Sequence, residues 1–234
     1  MKSPRIFAGA LGALGLLMAG CTAEPDCCED SETSAPAGTA ELAERLAFMA
    51  GHVEAGIALY RAGEGPAGGP HLLHPVSESY AEEREGLDAI GFDPAPFEAV
   101  SAALEAGKPA SEIEPQLAEV EANLAKMRSE AGGDPAQLIP YLMGLIAKEY
   151  AIGVTDGAVS DAGEYQDAWG FARVARQLSE EIAAPDGDAV RAELDALLAL
   201  WPDAAPVPPS DPASVSAVTN QSAKVTAALA KAGA

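Results

Sequence analysis

Residues 93–133, DPAPFEAVSAALEAGKPASEIEPQLAEVEANLAKMRSEAGG, hold two helices with their punctuation in place. Asp93-Pro94 reads as an N-cap followed by proline at the first helical position, where no intrahelical N–H is needed. Phe97, Val100 and Leu104 recur at spacings of three and four, one face of a helix, and Gly107 ends it. Ser111 to Glu114 has the Ser-x-x-Glu form of a capping box. Leu117, Val120, Leu124 and Met127 supply the next stripe, and Gly132-Gly133 stops it. Two such helices joined by a short loop pack antiparallel.

The same reading extends in both directions. Upstream, Leu42, Leu46, Met49, Val53, Gly56 and Tyr60 mark one helix. Val76, Tyr80, Leu87 and Ile90 mark a second that starts at Pro75. Downstream, Asp134-Pro135 opens a helix with Leu138, Leu142, Leu145 and Ile146 apolar, which Pro140 should kink or delay. Asp156-Gly157 marks a turn, with a short strand pair around Val154 to Val159. Asp161 to Glu164 caps a helix carrying Phe171, Val174, Leu178 and Ile182. Leu194, Leu197, Leu198 and Trp201 mark another. Five prolines between Pro202 and Pro212 form a linker, and Val215, Val218, Val225 and Leu229 mark a last helix. The fold class is all-α: an antiparallel helical bundle over residues 40–201, a Pro-rich linker at 202–212 and a C-terminal helix at 213–234 that packs back or dangles.

Composition agrees. Ala and Leu dominate and aromatics are 5%, which favours helix over sheet. With 36 acidic and 14 basic residues the net charge is −22, so a nucleic-acid partner is excluded by repulsion from phosphate. A basic partner or a metal cation would be attracted. The plainer account is that an acidic surface keeps the protein soluble.

The first 20 residues read as a signal. Lys2 and Arg5 precede an apolar run, Ile6 to Ala19, too short for a comfortable membrane span of about 20 residues. Leu17-Met18-Ala19-Gly20-Cys21 resembles a lipobox. That resemblance implies cleavage before Cys21 and acylation of its thiol, anchoring the protein to a bilayer on the periplasmic side of a bacterial membrane. The absence of Asp after Cys21 favours the outer membrane. Residues 21–39 read as a disordered acidic tether, with Cys27 and Cys28 as incidental tether residues.

Three histidines are the chemistry-bearing groups: His52, His71 and His74. Imidazole suits iron, copper, zinc and nickel. Met49 lies one turn before His52 and adds a thioether on its face. His71 and His74 have i,i+3 spacing, but Pro75 disfavours helical angles at His74, so both are read as part of a connecting turn. Glu83 falls on the buried stripe of the helix from Pro75, where a carboxylate is costly unless paired or bound to metal. Arg84, Arg45 or Arg61 would also satisfy it. Glu164 and Asp167 likewise fall on the stripe through Phe171; first-turn helix-dipole compensation accounts for them. The alternative to a metal site is two loop histidines and one half-buried helix histidine.

Two stretches carry family resemblances. Glu149-Tyr150-Ala151-Ile152-Gly153-Val154, Asp156-Gly157-Ala158-Val159 and Glu164-Tyr165-Gln166-Asp167-Ala168 succeed one another within Leu142 to Leu178. That succession resembles the extracytoplasmic helical segment of bacterial high-affinity iron permeases. Gly51-His52-Val53-Glu54 is similar to the Gly-x-His-x-x-Glu theme of imelysin-like periplasmic helical proteins, with the glutamate one residue too close. These resemblances imply a helical protein that binds a metal between helices.

No Gly-x-Ser-x-Gly elbow, Walker loop, dinucleotide fingerprint or His-Glu-x-x-His motif appears, so no enzyme activity is expected. The expectation is a lipid-anchored protein that binds iron or copper, zinc not being excluded, through His52, His71, His74, Glu83 and Met49. It would serve a metal permease or reductase. The other class is a structural or adaptor lipoprotein that holds a protein partner through its acidic surface.

Overall fold

A helix running Ala37–Arg61 (α1) is buried around most of its circumference and joins two apolar clusters. Leu46, Met49, Val53 and Ile57 enter one; Ala43 and Ala47 enter the other. The sequence predicted a single stripe. The second face is built from alanines and Gly51, which periodicity weighted to large side chains does not register. The structure is a computed structural model; it describes residues 37–77, 86–202 and 205–233, all within one compact unit, Ala35–Ala234.

The first cluster gathers α1 with α2 (Gly65–Leu73), α3 (Pro94–Glu105) and α4 (Ala110–Ala131). Phe97, Val100 and Leu104 of α3 meet Ile113, Leu117, Val120 and Met127 of α4, as their spacing predicted. Asp93 caps α3 by accepting the Ala95 N–H at 3.1 Å. The expected capping box does not form: α4 begins at Ala110 after an extended Pro109. Ser111 is therefore already inside the helix and cannot cap it.

The second cluster belongs to α5 (Pro135–Gly153), α6 (Ala162–Leu178), α7 (Asp186–Leu198) and α8 (Val215–Ala232). Each packs on the next, and α8 closes the ring on α5, giving a four-helix bundle. Its centre is aromatic: Tyr150, Tyr165, Phe171 and Trp201 are all buried. Asp134 and Asp161 cap α5 and α6 through backbone N–H groups at 2.8 and 3.0 Å. Pro140 does not delay α5, which starts at Pro135 and runs to Gly153. One proline near the helix start forfeits a single backbone bond there. The α8 helix packs back: Val218 and Val225 are fully buried, and the Tyr150 hydroxyl donates to the Ala213 carbonyl at 2.8 Å.

Between α5 and α6 the expected strand pair forms, with Val154 opposite Val159. Asp156 and Gly157 both take positive φ, 52° and 77°, the geometry of a two-residue I′ hairpin turn.

Two expectations fail between α1 and α3. The stretch read as a connecting turn contains α2, and His74 has φ −47°, ψ −49° despite the following proline. The continuous helix from Pro75 is not formed either. His74–Val76 is one 3-10 turn, Ser77 is extended at ψ 139°, and Gly86 has φ 85°. Tyr80, Glu83 and Arg84 lie outside the described residues.

Candidate metal centre

Two glycine contacts bring three helices close enough to form a site. A Cβ on Gly170 of α6 would overlap the Gly51 carbonyl oxygen of α1. A Cβ on Gly56 of α1 would lie 2.9 Å from the Gly68 carbonyl oxygen of α2. Only residues without side chains permit these backbone approaches. His52 follows Gly51, Asp167 lies about one turn before Gly170, and His71 about one turn after Gly68.

The result is a buried His–Asp–His cluster. Asp167 Oδ1 accepts from His52 Nδ1 at 2.7 Å and from His71 Nδ1 at 2.8 Å. His71 Nε2 pairs with Gln166 Oε1 at 2.8 Å. His52, His71, Gln166 and Asp167 are all buried. His74 stacks on His52, ring centroids 3.5 Å apart and planes 16° from parallel. Phe48 and Phe171 wall the His52 ring at 4.6 and 5.3 Å.

The electrostatics follow from this packing. Burial works to raise the Asp167 carboxyl, but hydrogen bonds and charge from His52 and His71 overcome it and hold the group well below the usual carboxylate range. Burial works to lower His71, but Asp167, Gln166 and Glu164 outweigh it and raise the imidazole above its ordinary value. His74 is pushed down to about 3, first by burial and then by His52, and stays neutral near pH 7.

Histidines and a carboxylate so placed are groups that could hold a metal ion. With Nδ1–H directed at a carboxylate, the lone pair of His52 sits on Nε2, the tautomer that metal-binding histidines adopt. That Nε2 is buried and has no hydrogen-bond partner among the described residues. His52, His71 and Asp167 each have a potential ligand atom, all within 4.8 Å of one another; His71, hydrogen-bonded through both ring nitrogens, must first give up a proton to ligate a cation. A cleft of about 430 Å³ reaches His52, His74 and Asp167 from the α1–α5 side, past Glu149 and Glu164. A second, of about 510 Å³, reaches His71, His74, Gln166 and Asp167 from the α2 side. Glu149 is 7% exposed and its Oε1 accepts from Lys148 Nζ at 3.0 Å. Glu164 is pushed up to about 8, chiefly by its hydrogen bond to Glu149, then by burial and the Glu149 charge.

The structure thus brings His52, His71 and His74 together. Met49 lies in the apolar cluster with Leu46 and Val53 and lines neither cleft. Three residues back along a helix is about 60° round its axis, enough to turn one side chain to the core and the other to the site. Glu83 and Cys21 fall outside the described residues. Glu54 accepts from Gln177 at 2.7 Å, away from the cluster. The carboxylate at the centre is Asp167. Its signal in the sequence was its place on the apolar stripe of α6, which the helix dipole accounted for too easily. Gln166, which pairs with His71, and Glu149 and Glu164, which line the cleft, are the other polar residues around the cluster that the sequence reading did not place there.

The fold and site define a helical bundle with a buried histidine–carboxylate centre between helices. Residues 128–233 match the family model described as an iron permease-associated 4-helix bundle domain. The match spans α5 to α8, and the Leu142–Leu178 likeness to iron permeases lies inside it. It includes Asp167, Glu149 and Glu164; the three histidines come from helices before it. No curated protein and no solved structure shows a match to the chain.

Proposed function

We propose that this protein captures a transition-metal ion at His52, His71 and Asp167, with His74 beside them, and supports iron uptake through a permease. The observation that carries the reading is one buried carboxylate between two imidazoles, with His52 Nε2 left without a partner among the described residues. An imidazole and carboxylate donor set suits a borderline cation: Fe(II), Cu(II) or Zn(II). Met49 lies in the core, so the thioether that favours Cu(I) is missing from the set. The family match supports iron. The charge of −22 raises the local cation concentration.

The anchor belongs to the same proposal. Acylation at Cys21 would hold the protein at the periplasmic face of a membrane, the outer membrane being favoured, with a permease or reductase as the recipient. Labelled palmitate should enter the wild type and not Cys21→Ser; equal labelling would remove the anchor from the proposal.

The deciding experiment titrates Fe(II) without oxygen, Cu(II) and Zn(II) into metal-stripped protein by calorimetry. Wild type is compared with the His52→Ala, His71→Ala, His74→Ala triple variant. Wild type should bind at micromolar concentration or tighter, and the variant should not. Equal binding, or none by either, would leave the adaptor reading in its place.

A further inference from the structure

We propose that a cleft between the end of α1 and the middle of α6 binds a small organic monocarboxylate. The site stands apart from the histidine centre: its cleft, about 550 Å³, shares no lining residue with either cleft there, among the described residues.

Three features of the cleft carry this. First, it is built by two helix faces that pack together. Glu54, Ile57, Ala58 and Arg61 follow one another at helical spacing on α1, and Trp169 and Arg173 stand one turn apart on α6. Second, it holds more donors than acceptors. Trp169 is 4% exposed, and its Nε1 has no hydrogen-bond partner among the described residues. A buried N–H in that state is costly, and neither arginine can relieve it, because a guanidinium only donates. The one carboxylate lining the cleft among the described residues is Glu54, whose Oε1 accepts at 2.7 Å from Gln177, outside the cleft. Third, both arginines keep donors to spare. The Arg173 Cζ lies 5.7 Å from the centre of the Trp169 ring, and its Nε is 4.0 Å from Glu54 Oε2, beyond hydrogen-bond distance. Arg61 donates through Nη2 at 3.1 Å to Glu121, which is also outside the cleft; both side chains are about half exposed, and a pair so exposed is weak.

The donor excess names the ligand class. What the cleft lacks is an acceptor, and two guanidiniums against one carboxylate leave a single positive charge in it. One organic carboxylate matches that charge, whereas a phosphate dianion would also meet the repulsion of Glu54. The two oxygens of a carboxylate fit the guanidinium fork and keep lone pairs for the indole N–H. Ile57 and Ala58 give a short hydrocarbon body an apolar wall. The volume falls within the roughly 300–1,000 Å³ of small-molecule sites.

The test uses the full-length, metal-stripped chain in detergent, with butyrate as the probe. The sequence has two tryptophans, so a nitrogen–proton NMR spectrum carries two indole signals, assigned with Trp169→Phe. Butyrate should move the Trp169 signal saturably at millimolar concentration. It should leave the signal of Trp201, whose N–H donates to the Tyr165 carbonyl at 3.4 Å in the core. Butyramide, of the same shape without the charge, should move neither. Arg173→Gln alters a side chain that is 41% exposed, so circular dichroism should match wild type. It should weaken butyrate binding at least about tenfold, the effect of losing one charge-assisted hydrogen bond. No saturable shift, an equal shift with butyramide, or equal affinity in Arg173→Gln would overturn the site. Tighter binding of inorganic phosphate than of butyrate would overturn the carboxylate class. Each of these results leaves the metal reading untouched, because the two sites share no residue.

Discussion

Gly51 of α1 and Gly170 of α6 touch backbone to backbone, and a Cβ on Gly170 would overlap the Gly51 carbonyl oxygen. On Gly51 itself a Cβ would strike the Phe171 ring. This crossing sets the separation at which His52 Nδ1 meets Asp167 Oδ1, 2.7 Å apart across 115 positions of sequence.

Gly170→Ala is therefore expected to destabilise the fold by about 1–3 kcal/mol, since the neighbour is backbone and cannot yield as a side chain would. It should also weaken metal binding by pushing α6 off α1. Gly144→Ala is the control: nothing lies within 4 Å of a Cβ there, and replacing glycine in an exposed helix interior gains up to about 1 kcal/mol. Urea unfolding of both variants checks the pair. Equal effects would show that the crossing does not limit stability.

Asp167 and His71 should give metal-free protein a defined pH window. The folded Asp167 carboxyl lies below its ordinary 3.8, so its contribution is present above that value and is lost as pH falls beneath it. The folded His71 lies above its ordinary 6.5, so its contribution is full below 6.5 and is lost as pH rises through the folded value. Both contribute between about pH 4 and 6.5. Asp167→Asn should flatten this window and move the His71 midpoint, read by NMR, below 6.5, because burial then prevails. An unmoved midpoint would show that Asp167 does not control His71.

His74 carries the opposite sign. Its folded value of about 3 lies below its ordinary 6.5, so protonation opposes folding as pH falls from 6.5 towards 3. His74→Phe keeps an aromatic ring against His52 and Phe48 and removes the titration. Its unfolding free energy should fall less between pH 6.5 and 4 than that of wild type. Parallel curves would count against a buried neutral His74.

Ending the chain after residue 202 should leave the bundle open. Val218, Val225 and Leu229 of α8 are buried against α5 and α7, and each large apolar side chain so buried contributes about 1.5–3 kcal/mol. The truncated protein is expected to melt well below wild type and to bind a hydrophobic dye. An unchanged melting temperature would mean that α8 contributes little despite its packing.

Much of the helical framework was legible in the sequence. Asp93, Asp134 and Asp161 announced their caps, and Asp156-Gly157 announced its hairpin turn. The stripes of α3, α4 and α6 announced their buried faces. These signals are local: each joins residues within a few positions, where backbone geometry alone decides what meets what. The failures were local as well. Ser111 looked like a cap because its spacing to Glu114 was right, yet the helix had begun one residue earlier. Gly65–Leu73, rich in glycine and proline, looked like a turn, but packing of its glycines against α1 outweighs its low helix propensity.

The histidines were legible as chemistry but not as a site. By itself the sequence determined which residues could bear a charge or a lone pair and, for His52 and Asp167, which helices they rode on; His71 it placed in a turn where the structure has α2. Tertiary structure decided that Asp167, and not Met49, completes the centre. The physical reason is that helical periodicity encodes the direction of a side chain from its own axis. It carries nothing about the distance between axes, which here is set where Gly51 meets Gly170 and Gly56 meets Gly68.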